Sequence, residues 1–424
     1  MKIATNNISP IKITFQLVLL SLAVLALSTL LRPLTRLSHL SRHLIKTAPP
    51  TQGPPSSILS HASFTRPVSA LVNMSSSSPD YAHELRIASL AVSRAVLLTQ
   101  SVFSSHSKGT LSKSDSSPVT IGDFGAQALI IAAIRHAFPH DAVVGEEEAS
   151  SLRSNAALSA QIFALVQDAK LDDGADSELG EVRSEAEMIE AIDAGNAKGG
   201  RHGRFWALDP IDGTKGFLRG GQYAVCLGLI VDGAVRVGVL GCPNLPVSDS
   251  APLSADIPAS DRGVLFAAVS GHGATSAPLT RGALAPPTPI RMRQVRDLAA
   301  ATFCESVEAG HSSHGDQAAI ARRLGIRGES VRMDSQAKYG SIARGAGDIY
   351  LRLPVSATYR EKIWDHAAGD LIVREAGGEV TDASGERLDF GRGRTLEGNK
   401  GVVAAPREVH AEVLKVVREV LEGK

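Results

Sequence analysis

The chain has 424 residues, 43% hydrophobic and 21% charged, the balance of a globular protein with room for two domains. Its 44 basic and 44 acidic residues cancel, but seven basic and no acidic residues fall in 1–79, leaving a body of 37 basic and 44 acidic. That acidic excess argues against non-specific nucleic-acid binding, and three widely spaced cysteines, Cys226, Cys242 and Cys304, argue against a disulfide framework or a zinc site.

Residues 1–79 read as an extension ahead of the folded body. Lys2 and Lys12 precede an apolar run from Ile13 to Leu31, and Arg32, Arg36, Arg42 and Lys46 follow it. Basic residues and Ser without acids suit a mitochondrial transit peptide. The run is also close to the ~20 residues that cross a bilayer, which suits a membrane anchor. A third reading starts the protein at Met74 and leaves it cytoplasmic. The body is expected to hold no other segment long and apolar enough, so membrane contact is expected only through residues 13–31.

Along the body, the spacing of apolar residues predicts a helix over 81–103. A polar loop, Ser114–Ser117, follows. Asp123 is expected as the N-cap of a helix running to Phe138. Ala142-Val143-Val144-Gly145 reads as a buried strand ending in Glu146-Glu147-Glu148. Helices are predicted over 151–168 and 184–194. The strand Phe205-Trp206-Ala207-Leu208 then runs into Asp209-Pro210-Ile211-Asp212-Gly213-Thr214. Apolar runs at 224–231 and 234–240 flank Asp232-Gly233, a hairpin signal. The Ala- and Pro-rich stretch 246–289 contains one strand, 263–269, and reads as a domain boundary with a surface loop over 274–289. Beyond it, helices 315–324, 335–345, 365–376 and 407–422 alternate with strands 328–333, 348–353 and one at Val380. Such alternation implies a sheet covered by crossover helices.

Acids recur where strands end or helices begin: Asp123, Glu146 with Glu147, Asp209 with Asp212, and Asp365 in Lys362-Ile363-Trp364-Asp365-His366. Each alone has an ordinary explanation, since Asp, Pro and Gly make turns and acids favour helix starts. Trp364 reads as core packing. Gathered in one place, the acids need cations between them. Oxygen donors alone favour Mg²⁺ over zinc. Metals held this way can clamp a phosphate and acidify a water. The chain has no phosphate-binding P-loop, no dinucleotide fingerprint and no serine-hydrolase elbow.

Gly145-Glu146-Glu147, Asp209–Thr214 and Trp364-Asp365-His366-Ala367-Ala368-Gly369 resemble the motifs of the lithium-sensitive, Mg²⁺-dependent phosphatases that include inositol monophosphatase and fructose-1,6-bisphosphatase. Ser117–Asp123, Glu305–His314, Asp334–Gly340, Tyr350–Pro354 and Glu361–His366 make the chain look most like the 3'(2'),5'-bisphosphate nucleotidases of that superfamily. The resemblance spans roughly residues 80–405. It implies a layered α-β-α-β-α sandwich, with a metal-binding α+β half (80–245) and an α/β nucleotide-binding half (246–424). It implies that Glu146, Asp209, Asp212, Asp365 and the Ile211 carbonyl hold two or three Mg²⁺, with Li⁺ as an inhibitor. Asp123 and Thr214 match the pair that activates the nucleophilic water. Thr214, His311, Ser335, Lys338, Arg352 and Asp365 match substrate-binding positions. The implied reaction is removal of the 3'-phosphate from adenosine 3',5'-bisphosphate or its sulfated analogue, by a monomer acting on a small nucleotide. An inositol phosphate phosphatase of the same fold and a catalytically silent nucleotide sensor are the alternatives.

Overall fold

Asp232 and Gly233 (φ 49° and 75°) make the predicted turn between strands Ala224–Val231 and Ala234–Pro246. This hairpin centres a seven-stranded sheet ordered β1 Ala142–Gly145, β2 Arg204–Asp212, β3 Ala224–Val231, β4 Ala234–Pro246, β5 Arg262–Val269, β6 Gly273–Pro278 and β7 Thr288–Ile290. β1 and β2 run parallel and the remaining neighbours antiparallel. The computed structural model describes residues 80–423 apart from 106–107, 114–117, 251–256, 309–312, 355 and 357. The extension with its apolar run 13–31, the loop Ser114–Ser117 and His311 lie outside the described residues.

β6 and β7 correct the reading of 274–289 as a surface loop and carry the first sheet past residue 245. Their Gly, Ala and Pro residues carry weak strand propensity, and proline is tolerated at a strand end or on an edge strand. Burial of Ala274, Ala277 and Ile290 holds them in place.

The second sheet is built from β8 Phe303–Glu305, β9 Val331–Arg332, β10 Ile349–Arg352, β11 Gly378–Thr381 and β12 Val402–Pro406, in the order β9-β8-β10-β12-β11. β12 adds antiparallel pairing on both its sides to a parallel core. Helices α1 Ala82–Ser104 and α2 Ile121–Ala137 cover one face of the first sheet. Helices α3 Ala337–Ala343 and α4 Ala367–Glu375 fill the space between the sheets. Helices His314–Arg323 and Arg407–Glu422 cover the far face of the second. The layers therefore run helix, sheet, helix, sheet, helix, as expected.

The period of two explains why β3 reads as one unbroken apolar run. Val225, Leu227 and Leu229 pack towards α1 and α2, while Ala224, Cys226 and Ile230 pack towards α3 and α4. Gly228 pairs with Gly238 across β3 and β4. A Cβ on Gly238 would lie 2.8 Å from the Ala368 carbonyl, and one on Gly228 3.1 Å from the Ala367 Cβ. These two glycines let the start of α4 rest on the sheet, which brings Asp365 to the end of β2.

Two local expectations change. The predicted helix 151–168 is two, Ser150–Arg153 and Ala156–Asp168, because Asn155 caps the second by accepting from the Leu158 N–H. α1 also proves long and apolar enough to cross a bilayer, but 72% of that stretch is buried in the core.

Candidate active site

Pairing between β2 and β3 slips between Asp209 and Asp212, so the strand bulges at Pro210. The bulge gives Asp209, the Ile211 carbonyl and Asp212 one neighbourhood instead of alternate faces. Asp209 folds back to accept from the Ile211 N–H at 3.1 Å. The Thr214 hydroxyl donates to the Ile211 carbonyl at 3.2 Å. Gly213 allows the turn, with φ 86°.

From the other elements, Glu146 follows β1, Asp365 precedes α4 and Arg352 ends β10. Glu146, Asp209, Ile211, Asp212, Thr214, Arg352 and Asp365 line one cleft of about 400 Å³. A larger hollow of about 830 Å³ beside Arg135, His136, Glu187 and Glu190 contains none of these acids, so the chemistry points to the smaller one.

Asp123 is not the N-cap. Thr120 is, and Asp123 closes a capping box by accepting from the Thr120 N–H at 2.8 Å and its hydroxyl at 2.7 Å. Ile121 and Gly122 join the helix because their apolar surface is buried. The second oxygen, Asp123 Oδ1, is buried without a hydrogen-bond partner among the described residues.

Electrostatics sharpen the picture. Burial, with repulsion from Glu146, raises the Asp123 pKa to about 7 against the pull of Thr120. Burial and the charges of Glu146, Asp212 and Asp365 push Asp209 well above the carboxylate range. Burial takes Asp212 to about 6 despite Lys338 and Arg352. It takes Asp365 to about 7 despite Arg352, with Asp212 adding repulsion. An ammonium also tempers the crowd from the Glu146 side: Lys113 Nζ lies 2.7 Å from Glu146 Oε1 and 2.5 Å from Glu147 Oε1. Burial lowers the Lys113 pKa, but Glu146 and Glu147 outweigh it and the net shift is upward. The orphaned Asp123 oxygen and the self-repelling acids fit a divalent cation bound through oxygen.

The remaining expected residues lie deeper. Lys338 is 2% exposed, its ammonium 3.3 Å from the Met333 carbonyl and 5.2 Å from the Tyr350 ring centroid. Burial lowers its pKa to about 8 while Asp212 pulls it back up. Ser335, at φ 70°, accepts from the Ala337 N–H at 3.1 Å. Neither is among the residues lining the cleft. Among the described residues, Asp123 bonds to Thr120 and Thr214 to Ile211, without a direct bond between the two.

Sequence reasoning missed Lys113, Tyr359 and Arg394, which also line the cleft. Arg394 donates to the Gly145, Ala197 and Gly195 carbonyls at 2.6, 3.0 and 3.2 Å and stacks over Trp364 at 4.8 Å. Trp364 is core, as expected, but its edge also reaches the cleft. These residues carry no local pattern; a Lys in a Ser-rich loop or an Arg among glycines looks like any solvated cation.

Fold and site together are those of a metal-dependent phosphatase. The chain belongs to the inositol monophosphatase family, whose sequence pattern matches residues 80–422. That family is metal-dependent, generally on Mg²⁺, and acts on small molecules. The chain is 62% identical over 349 residues to an Emericella nidulans protein named 3'(2'),5'-bisphosphate nucleotidase, covering 81% of this chain and 99% of that one. Proteins of the same name from Schizosaccharomyces pombe and Oryza sativa are 48% and 42% identical, covering 80% and 81% of this chain and 95% of each. The solved Thermotoga maritima IMPase matches with a TM-score of 0.52 over 80% of this chain and 99% of its own, at 21% identity, a likeness of fold alone.

Proposed function

We propose that the chain hydrolyses the 3'-phosphate of adenosine 3',5'-bisphosphate to give AMP and phosphate, and accepts 3'-phosphoadenosine 5'-phosphosulfate by the same reaction. The observation that carries the reading is the meeting of Glu146, Asp209, Asp212 and Asp365 with the Arg352 guanidinium in one cleft. The acids suit a metal-clamped reacting phosphate and Arg352 a second, non-reacting one. The relatives named bisphosphate nucleotidases support the substrate.

Glu146, Asp209, Asp212, Asp365 and the Ile211 carbonyl would hold two or three Mg²⁺, which supply charge for the phosphate and acidify a water. Asp123, whose pKa is about 7 in the metal-free chain, is the carboxylate that would take the proton of the attacking water. Thr214 sits behind the Ile211 carbonyl, where its hydroxyl orients that ligand and the water beside it. Buried Lys338 acts at a distance, as positive charge beneath Asp212. Li⁺ would inhibit by taking one of the Mg²⁺ positions. Residues 1–79 serve as an address or anchor, which N-terminal sequencing of the native protein tests.

The deciding experiment measures phosphate release from adenosine 3',5'-bisphosphate and inositol 1-phosphate, with Mg²⁺ and with added Li⁺. Preference for the nucleotide and loss of activity with Li⁺ are expected; preference for the inositol phosphate sinks the substrate assignment. Asp123→Ala should abolish turnover while nucleotide binding persists. Binding of the nucleotide by the wild type with no phosphate release would instead make the protein a sensor.

A further inference from the structure

A buried hydrogen-bonded chain runs behind the cleft wall. The Tyr339 hydroxyl lies 2.8 Å from His366 Nδ1, and His366 Nε2 lies 3.0 Å from Glu361 Oε2. The same Glu361 oxygen lies 2.7 Å from Arg352 Nε. Tyr339 and His366 are fully buried, and Glu361 and Arg352 nearly so.

Donor and acceptor chemistry orders this chain in one direction. Burial pushes the Glu361 pKa up, but the Arg352 charge and the His366 bond pull it down to about 2, so the carboxylate only accepts. Nε2 of His366 therefore carries a proton, and in the neutral imidazole Nδ1 accepts from the Tyr339 hydroxyl. Glu361, Asp365 and His366 bring possible metal-ligand atoms within 4.8 Å of one another. Both His366 nitrogens and the shared Glu361 oxygen are already engaged, so the group is a brace and not a metal site.

The brace decides where Arg352 points. Arg352 Nη2 lies 3.4 Å from both Asp365 Oδ2 and the Tyr359 hydroxyl, at the edge of hydrogen-bond reach. The Glu361 contact is much shorter. It is an ion pair, holding the guanidinium by charge on the Nε side and leaving the terminal nitrogens for the cleft that Arg352 lines. Without Glu361, the nearest strong partner for the guanidinium is Asp365, whose oxygens the metal requires.

We propose that Glu361 is a positioning residue: braced by His366 and Tyr339, it fixes Arg352 for the non-reacting phosphate of a bisphosphate substrate and keeps it off Asp365. The inference rests on the substrate reading above, in which Arg352 meets the second phosphate.

The test compares kcat/KM for adenosine 3',5'-bisphosphate with that for adenosine 3'-monophosphate, which lacks the second phosphate. Glu361→Gln should lower the ratio of the two about tenfold, mainly through KM for the bisphosphate, because the buried ion pair that holds Arg352 is lost. Tyr339→Phe keeps the ring and removes the far end of the brace; it should lower the ratio about threefold, a lesser neutral bond. It also serves if Glu361→Gln fails to fold, as judged by circular dichroism. Equal losses on both substrates in either folded variant, or an unchanged ratio, overturn the positioning role. A wild-type enzyme that hydrolyses both substrates with no preference for the bisphosphate instead overturns the reading of Arg352, and one that hydrolyses neither overturns the substrate assignment.

Discussion

The Lys113 ammonium lies 2.7 Å from Glu146 Oε1 and bridges to Glu147 at 2.5 Å, so a protein cation sits among the acids that suit Mg²⁺. It lies just past the strand Leu111–Ser112, which pairs with Pro118–Val119 beside the start of α2. In the metal-free chain it relieves the repulsion between Glu146, Glu147 and their neighbours.

Lys113→Met should therefore act oppositely on two measurements. Thermal melting of the metal-free protein should drop by a few degrees, because breaking a partly buried pair leaves uncompensated carboxylates. Mg²⁺ affinity in calorimetric titration without substrate should rise severalfold, since the competing cation is gone. A fall in both would mean that Lys113 supports the metal site instead of competing for it.

The acid cluster also predicts a pH dependence. In the folded metal-free chain Asp123 and Asp365 titrate at about 7 and Asp212 at about 6, against ~3.9 in an unfolded chain. Between about pH 4 and pH 7 the folded state then holds more protons than the unfolded one, so these groups lower stability as pH rises through that window. Mg²⁺ must displace the protons of Asp212, Asp365 and the strongly raised Asp209, so binding at about pH 6.5 should release protons, and the release should shrink as pH rises. Calorimetry in two buffers of different ionisation enthalpy measures it. Binding at pH ~6.5 without proton release would remove these carboxylates from the ligand set.

Gly213 carries both a backbone and a packing requirement. Its φ is 86°, and a Cβ there would lie 3.0 Å from the Ser335 Cβ, a residue itself at φ 70°. Gly213→Ala should cost about 1–3 kcal/mol in urea unfolding, because strain and contact act together. A loss under about 0.5 kcal/mol would mean that the turn relaxes freely.

Much of this protein was legible because its signals are local. Apolar spacing marked α1 to within a residue, and Asp232-Gly233 marked the turn of the central hairpin, whose second strand runs on past 240 to Pro246. The run Asp209–Thr214 pointed to its chemistry because both carboxylates and the turn residues fall within six positions. Other features needed distant partners. Strands β6 and β7 are too short and too interrupted by Gly, Ala and Pro to declare themselves, and only the pairing of β6 with β5 and of β7 with β6 reveals them. Asp123 looked like a cap because capping residues and their reciprocal partners share the same alphabet, and burial of Ile121 decided between them.

By itself, then, the sequence determined which acids the protein has, which turn presents them and which family pattern they follow, since those properties reside in short contiguous stretches. The tertiary structure alone decided which charges stand next to those acids. Lys113 between Glu146 and Glu147, Arg394 on the carbonyl of Gly145, Lys338 buried under Asp212 and Glu361 against Arg352 are pairings from distant segments. Burial makes them count, because a charge removed from water is controlled by its nearest neighbour, and folding chooses that neighbour.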